Sequence, residues 1–397
     1  MTNFTQQDFN GQILRPAWIE IDLNAVAENV RHIKNYLGNT RFLAVVKADG
    51  YGLGAVETAT VITENGADYL GVVMLDEAAE LRRAGIKTPI LNMGTILPSQ
   101  VSYVTGFDLE QIVYRPEMAR LLSQQAKNDN RSVKIHIKID TGMSRYGVRY
   151  SEAIDTIIKI ASMPNLEIAG AMTHFPRSDA LDKSFALLQI ERMKKIRKEL
   201  KNRGISIPLW HLANSGGALD IPEALGDMVR VGLMNYGYFP SDDVRRPFPL
   251  VPAMSVKAQI VNIKHINRGD TVGYGRRFMA EKDETIAVLP MGYADGYSRK
   301  LSRIGEVLIK GRRVPIIGGL CMDAFFLKIT EFPDIREGDT ATLMGIDGEE
   351  EISPHDIAGL TGSVSYEVIS NFGKRLPRVY VNDNKITKIK NYQLGNF

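Results

Sequence analysis

Phe42-Leu-Ala-Val-Val-Lys47-Ala-Asp-Gly50-Tyr51-Gly52-Leu-Gly54 couples an apolar run to a lysine and then to a glycine-rich turn. A helix is expected to begin near Ala55. The run has no polar alternation, which suits a strand buried on both faces of a parallel sheet. Lys47 stands at the carboxyl end of that strand, the end at which a (β/α)8 barrel carries its active site. A lysine held there loses hydration, which lowers its pKa and suits it to Schiff-base chemistry with a carbonyl. A salt-bridge partner is the competing reading for a strand-end lysine. The spacing is neither a nucleotide P-loop nor a dinucleotide fingerprint.

Outward from this stretch the same texture repeats. Strands are predicted at Trp18–Leu23, Phe42–Val46, Tyr69–Met74, Pro89–Met93, Gln111–Tyr114, Val133–Ile139, Ile168–Thr173, Leu209–Leu212 and Met228–Leu233. Between them lie helical segments such as Asp76–Gly85 and Ser151–Ser162, whose apolar residues fall on one face. In Arg192–Arg203 the cations face solvent, with Leu188, Met193, Ile196 and Leu200 on the opposite side, so a solvated barrel helix is expected. Eight or nine strands with intervening helices fit a (β/α)8 barrel better than a doubly wound sheet. After Pro247-Phe-Pro-Leu-Val-Pro252 the runs shorten and turn pairs such as Gly338-Asp339 and Asp347-Gly348 separate them. That pattern predicts a mostly antiparallel β domain. Its first run is Ser255–Ile263, and its helices are Pro354–Gly359 and Tyr366–Phe372. The expected organisation is α/β: a barrel over 1–250 and a C-terminal β domain over 251–397.

The chain has 397 residues, 44% apolar and 24% charged, which excludes wholesale disorder and a disulfide miniprotein. Forty-nine basic and 46 acidic residues are interspersed and give a net charge of +3, so neither a nucleic-acid partner nor a membrane surface is expected. Cys321 is the only cysteine, so no intramolecular disulfide can form and a cysteine-ligated metal site would need other ligand types; no metal is expected among the site residues. No apolar run approaches a membrane span, and the start lacks the pattern of a secretion signal. A cytoplasmic location is the expectation.

Beyond Lys47, a set of separated motifs follows in order. These are His136-Ile-Lys138-Ile-Asp-Thr-Gly-Met-Ser-Arg145-Tyr-Gly, Thr173-His174-Phe, His211-Leu-Ala-Asn-Ser215 and Met228-Val-Arg230-Val-Gly232-Leu233. Val272-Gly-Tyr274-Gly, Gly292-Tyr293-Ala-Asp-Gly-Tyr, Cys321-Met322-Asp323 and Ser365-Tyr366-Glu367 complete the set. With Val46-Lys47-Ala-Asp-Gly-Tyr51-Gly, they resemble the alanine racemases, pyridoxal-phosphate enzymes with a (β/α)8 barrel and a C-terminal β domain. The resemblance runs from about Pro16 to Val381.

The resemblance implies a homodimer that interconverts L- and D-alanine by two-base proton transfer at Cα of the cofactor-bound amino acid, supplying D-alanine for peptidoglycan. Lys47 is implied as the cofactor-bound lysine and one base, Tyr274 from the second subunit as the opposing base, and His174 as the group that favours the ionised tyrosine. Arg230 is implied to face the ring nitrogen, where a carboxylate would instead keep that nitrogen protonated and make a stronger electron sink. The alternative is a buried arginine paired with an acid such as Asp227. His211 would orient Arg230. Tyr51, Ser215, the amides of Gly232 and Leu233, and Tyr366 would hold the phosphate. Arg145 and the Met322 amide would meet the substrate carboxylate. Lys138 matches a lysine carbamylated in some relatives, and Asp179, Tyr293 and Arg299 resemble the access corridor.

Departures from the family pattern fall at Asp49, Gly50 and Leu53, at Pro176-Arg177-Ser178, and at Gly318-Gly-Leu320 and Phe325. They leave the reaction type in place and open the choice between alanine, serine and other small amino acids. A decarboxylase on a related architecture is the enzymatic rival, expected to carry an acid in place of Arg230. A non-catalytic cofactor carrier is the rival from another class.

Overall fold

In the computed structural model the described residues are Phe4, 6–9 and 11–395; Met1–Asn3, where the expected absence of a leader is read, lie outside them. The strands that matter here are β1 (Ala17–Asp22), β2 (Arg41–Val45), β3 (Tyr69–Val72), β4 (Ile90–Asn92), β5 (Glu110–Val113) and β6 (Val133–Asp140). They continue with β7 (Val148–Arg149), β8 (Leu166–Met172), β9 (Leu209–His211), β10 (Met228–Val231) and β11 (Met254–Gln259).

Eight of these run parallel in the order β10-β2-β3-β4-β5-β6-β8-β9, with the short β7 beside the end of β6. The two ends of that row meet. Asp227 N–H donates to the Trp210 carbonyl at 2.9 Å, and Arg230 N–H to the Ala213 carbonyl at 3.0 Å. The nearly closed barrel explains why β2, β3 and β4 read as unbroken apolar runs: one face lies against helices and the other inside the ring. A helix such as Ala153–Ala161 buries Ala153, Ile157 and Ile160 from one stripe.

The long basic helix, Ser184–Asn202, buries Ala186, Gln189, Ile190, Met193, Ile196 and Leu200. Leu188, expected on the same side, is instead exposed. It precedes Met193 by five residues, about 140° around the helix, so it cannot share the stripe.

Strand β1 does not belong to the barrel. It pairs antiparallel with β11 and parallel with Arg378–Asn382, inside an eleven-stranded sheet. Its apolar pattern is that of an interior strand, which looks the same in either sheet, and the helix Leu23–Leu37 that follows completes the βα appearance. A buried ion pair between Glu20 and Lys257, 3.0 Å, ties β1 to β11. Accordingly the chain parts into two compact units. One holds Ala25–Gly50 and Gly54–Val251; the other holds the described residues up to Asn24, Tyr51–Leu53 and those from Pro252 onward. The expected assignment of all of 1–250 to the barrel therefore differs from the structure at the described residues up to Asn24 and at Tyr51–Leu53.

The second unit is mostly antiparallel. The run expected at Ser255–Ile263 is two strands, since β11 pairs with Thr340–Asp347 while Asn262–Ile266 pairs with Glu284–Leu289. Its helices are Pro354–Thr361, opened by a Ser353 capping box and closed by Gly362 at φ 66°, and the short Ser365–Ser370.

Candidate active site

The loop after β2 is held in a conformation few side chains adopt. Ala48, Asp49, Gly50 and Tyr51 have φ between 54° and 60°, all left-handed. Each non-glycine residue there costs roughly 1–2 kcal/mol, so its surroundings must hold it. Glu77 does much of this: one carboxylate oxygen accepts from Ala48 N–H at 2.7 Å and the other from Val73 and Met74 N–H. The Asp49 carboxylate accepts from Ala55 N–H at 2.9 Å and so fixes the start of the helix Ala55–Glu64. Lys47, at the head of this turn, has its pKa lowered by burial first and then by Arg145, against a smaller opposing effect of Glu77. Among the described residues it forms no ion pair, so the salt-bridge reading of this lysine finds no partner.

Arg230 on β10 is buried, 3% exposed. Its Nη1 donates to the His211 carbonyl at 2.6 Å and lies 3.2 Å from His211 Nδ1. Its Nη2 donates to the carbonyls of Thr173 and Leu212 at 2.7 and 3.0 Å and lies 3.4 Å from His174 Nδ1. No carboxylate is among these partners. Asp227 is engaged elsewhere, accepting from Trp210 N–H at 2.9 Å and pairing with Arg197 at 3.4 Å. Burial pulls the guanidinium pKa down to about 9, which leaves it protonated at neutral pH. The donors at Nη1 and Nη2 are all used, and the Nε–H is the one without a partner among the described residues.

Lys138, at the end of β6, has its pKa lowered well below the ordinary value by burial, then by Arg230 and Arg145, against Asp140. His174 follows β8, and burial, then Arg230, Lys138, Arg145 and Lys47, lower its pKa well below 6.5. Burial, then His136, Arg230 and Lys138, do the same to His211. Arg145 is exposed, on a loop ordered by the Asp140 carboxylate, which accepts from the N–H groups of Gly142, Met143 and Ser144 at 2.9–3.1 Å. Lys138, Arg145, Thr173 and His174 line one small cleft. Beyond β9 and β10, Gly232 N–H donates to Ser215 Oγ at 3.2 Å, where the short helix Ser215–Asp220 and the turn Leu233–Tyr236 begin. Asp179 lies in the loop after β8, its carbonyl accepting from Ser241 Oγ at 2.6 Å.

These residues fit pyridoxal phosphate. The cation cluster of Lys47, Lys138, Arg145 and Arg230 suits phosphate and carboxylate charge, and the lysine has the lowered pKa that carbonyl condensation needs. The unpartnered Nε–H of Arg230 offers a donor to a ring nitrogen.

The other expected residues lie in the second unit. Tyr51 is buried, with its ring centroid 6.2 Å from that of Tyr366 on the helix Ser365–Ser370. Tyr274 is 77% exposed, on a tight turn whose neighbours Gly273 and Gly275 have φ of 71° and 72°. Met322, Tyr293 and Arg299 are also exposed.

Residues 21–240 match the alanine racemase N-terminal domain family, and residues 253–380 match the alanine racemase C-terminal domain family. The chain belongs to the alanine racemase family. It is therefore a pyridoxal-phosphate-dependent isomerase. It is 41% identical to an alanine racemase of Clostridium tetani, over 96% of this chain and 99% of the relative. Among solved structures it resembles the alanine racemase of Clostridium difficile 630 with a TM-score of 0.91 and 35% identity, covering 96% of this chain and 99% of the other. It also resembles a histidine racemase of Leuconostoc mesenteroides, with a TM-score of 0.85 and 30% identity over 93% of this chain and 98% of the other.

Several residues around this site were not singled out from the sequence. Glu77 lies in the first turn of a helix, where an acid carries no further signal in the sequence. Glu110 opens β5, one residue before the strand expected at Gln111, and is buried. Gln189 Nε2, which donates to Thr141 Oγ1 at 2.9 Å and to the His174 carbonyl at 3.1 Å, sits in the apolar stripe of its helix.

Proposed function

We propose that this isomerase interconverts L- and D-alanine with two bases, Lys47 and Tyr274, on opposite faces of Cα. The observation that carries the reading is the setting of Arg230: buried, tied to three carbonyls and two imidazoles, and without a carboxylate. When bound, pyridoxal phosphate supplies an aldehyde for the substrate amine and a ring that withdraws electrons from Cα. A donor-only guanidinium at the ring nitrogen leaves that nitrogen unprotonated, which weakens the sink and favours quick return of a proton to Cα. A decarboxylase or transaminase reading would call for an acid at Arg230.

Burial, and then Arg145, lower the Lys47 pKa, which favours the free amine that a base requires. Tyr274 needs help to ionise. His174 Nδ1 faces an Arg230 N–H and must accept from it, so the imidazole proton sits on Nε2, where it can donate to a phenolate. In this reading Tyr274 comes from a second subunit, and its exposure in the single chain is what such a role requires. Tyr51, Ser215, the amides of Gly232 and Leu233, and Tyr366 hold the phosphate, with His211 orienting Arg230. Arg145 and the Met322 amide bind the substrate carboxylate, and Asp179, Tyr293 and Arg299 line the access corridor. Burial, then Arg230 and Arg145, lower the Lys138 pKa and so favour the uncharged amine that adds carbon dioxide, and a carbamate there would balance Arg145 and Arg230. A cytoplasmic supply of D-alanine for peptidoglycan is the corresponding role.

A broader specificity is the second reading, favoured by the loop departures at Arg177 and Phe325 and by the structural likeness to a histidine racemase. The cofactor-loaded protein, incubated separately with L-alanine, L-serine, L-lysine and L-histidine, is analysed by chiral chromatography. D-alanine should form fastest. Faster turnover of another amino acid would move the substrate, and no D-product from any of them would overturn the racemase.

A further inference from the structure

A (β/α)8 interior is ordinarily filled with branched apolar side chains. Here a row of polar groups leads inward from Arg230. His211 Nδ1 lies 3.2 Å from Arg230 Nη1, His211 Nε2 lies 2.9 Å from His136 Nδ1, and His136 Nε2 lies 2.7 Å from a carboxylate oxygen of Glu110. All four residues are buried. Room for the His136 ring is made by Gly170 on β8, where a Cβ would stand 2.3 Å from His136 Nδ1. Beyond Glu110, Tyr69 at the start of β3 has its pKa raised by burial and then by Glu110, against Arg41 at the start of β2. The row therefore runs from the carboxyl end of the barrel to its amino end.

The direction of every hydrogen in this row is fixed by its two termini. A guanidinium can only donate, so His211 Nδ1 accepts and its proton sits on Nε2. His136 Nδ1 then accepts that proton, leaving its own on Nε2, and a carboxylate can only accept it. Remove the carboxylate and nothing holds the His136 proton on Nε2. If it moves to Nδ1, His211 must reverse, and an Nδ1–H then meets the Arg230 N–H head-on. We propose that Glu110 is a positioning residue for the candidate active site: it orders the hydrogens of His136 and His211 and so fixes how the Arg230 guanidinium is presented. The proposal rests on the reading of Arg230 as the partner of the cofactor ring. The charged groups facing the row are Lys138, beside Arg230 and His211, and Arg41, through Tyr69.

The test uses nitrogen NMR of the histidine rings in the cofactor-free full chain, together with racemisation by the loaded enzyme. In the wild type both His136 and His211 should carry hydrogen on Nε2 and none on Nδ1. Glu110→Ala should show hydrogen on Nδ1 of one or both rings and a kcat lower by about tenfold, the size of one charge-assisted hydrogen bond, with KM little changed. Glu110→Gln, whose amide oxygen can still accept from His136, should keep the wild-type tautomers and most of the rate. Nδ1–H on either ring in the wild type would overturn the proposal whatever the variants do, even if Glu110→Ala failed to fold. Unchanged tautomers or an unchanged kcat in a folded Glu110→Ala would overturn it as well. A wild type with ordered rings that racemises none of the amino acids tested would sink the proposed function and leave the ordering standing.

Discussion

Arg230 is 3% exposed and Tyr274 is 77% exposed, and these two residues typify the regions they come from. At the barrel's carboxyl end, Arg230 and His211 are buried and hydrogen-bonded to each other, and burial lowers the pKa of both. In the C-terminal domain, Tyr274, Met322, Tyr293 and Arg299 stand in the open on turns. Arg230 and His211 hold each other by hydrogen bonds, while among the described residues the side chains of Tyr274, Tyr293 and Arg299 form no hydrogen bond or ion pair. Such a division is what a site completed by a second copy of the chain would need.

Lys47→Ala breaks the buried side most severely. It should abolish covalently held cofactor and lower D-alanine production by at least about a thousandfold, seen in the absorption of the purified protein and by chiral chromatography. Covalent cofactor retained in that variant would contradict the assignment. Tyr274→Phe probes the exposed side. We expect a loss of roughly a hundredfold or more, greater for proton removal from L-alanine than from D-alanine, with the primary deuterium effect changing unequally in the two directions. Equal changes both ways would argue for a single base.

A smaller effect separates the two regions by stability. His174 and His211 are kept neutral by burial, each with a pKa well below 6.5. The unfolded chain takes up protons at these rings as the pH falls through 6.5 and the folded chain does not, so folding weakens with acidity. Between 6.5 and its lowered folded value each ring should cost about 1.4 kcal/mol per pH unit. Urea unfolding at pH 7.0 and 5.5 measures this, and His211→Gln should flatten the slope. No loss of stability on acidification would contradict the buried, neutral assignment. At the low end of the scale, Leu188→Ala should change stability by less than about 0.5 kcal/mol and Met193→Ala by about 2–5, which separates solvent face from core on one helix.

Apolar runs bounded by turns disclosed the barrel strands to within a few residues, and Lys47 stood out because a lysine ends one of those runs. The placement of β1 was hidden, because a strand flanked on both edges carries the same pattern in either sheet. The contacts that hold the site were hidden too. Glu110, His136 and His211 come from three strands, 26 and 75 residues apart, and meet only once the ring closes. Glu77 and Asp140 act on backbone N–H groups, which leave no mark in composition or periodicity.

The central claim is that two bases from two subunits share one site, and mixing inactive variants tests it most directly. Lys47→Ala and Tyr274→Phe proteins, mixed equally under conditions of demonstrated subunit exchange, should form hybrid dimers with one intact site. Activity should then rise from near zero toward about a quarter of wild type, since half the dimers are hybrid and each keeps one of two sites. No recovery with exchange demonstrated would contradict the account and place both bases within one chain.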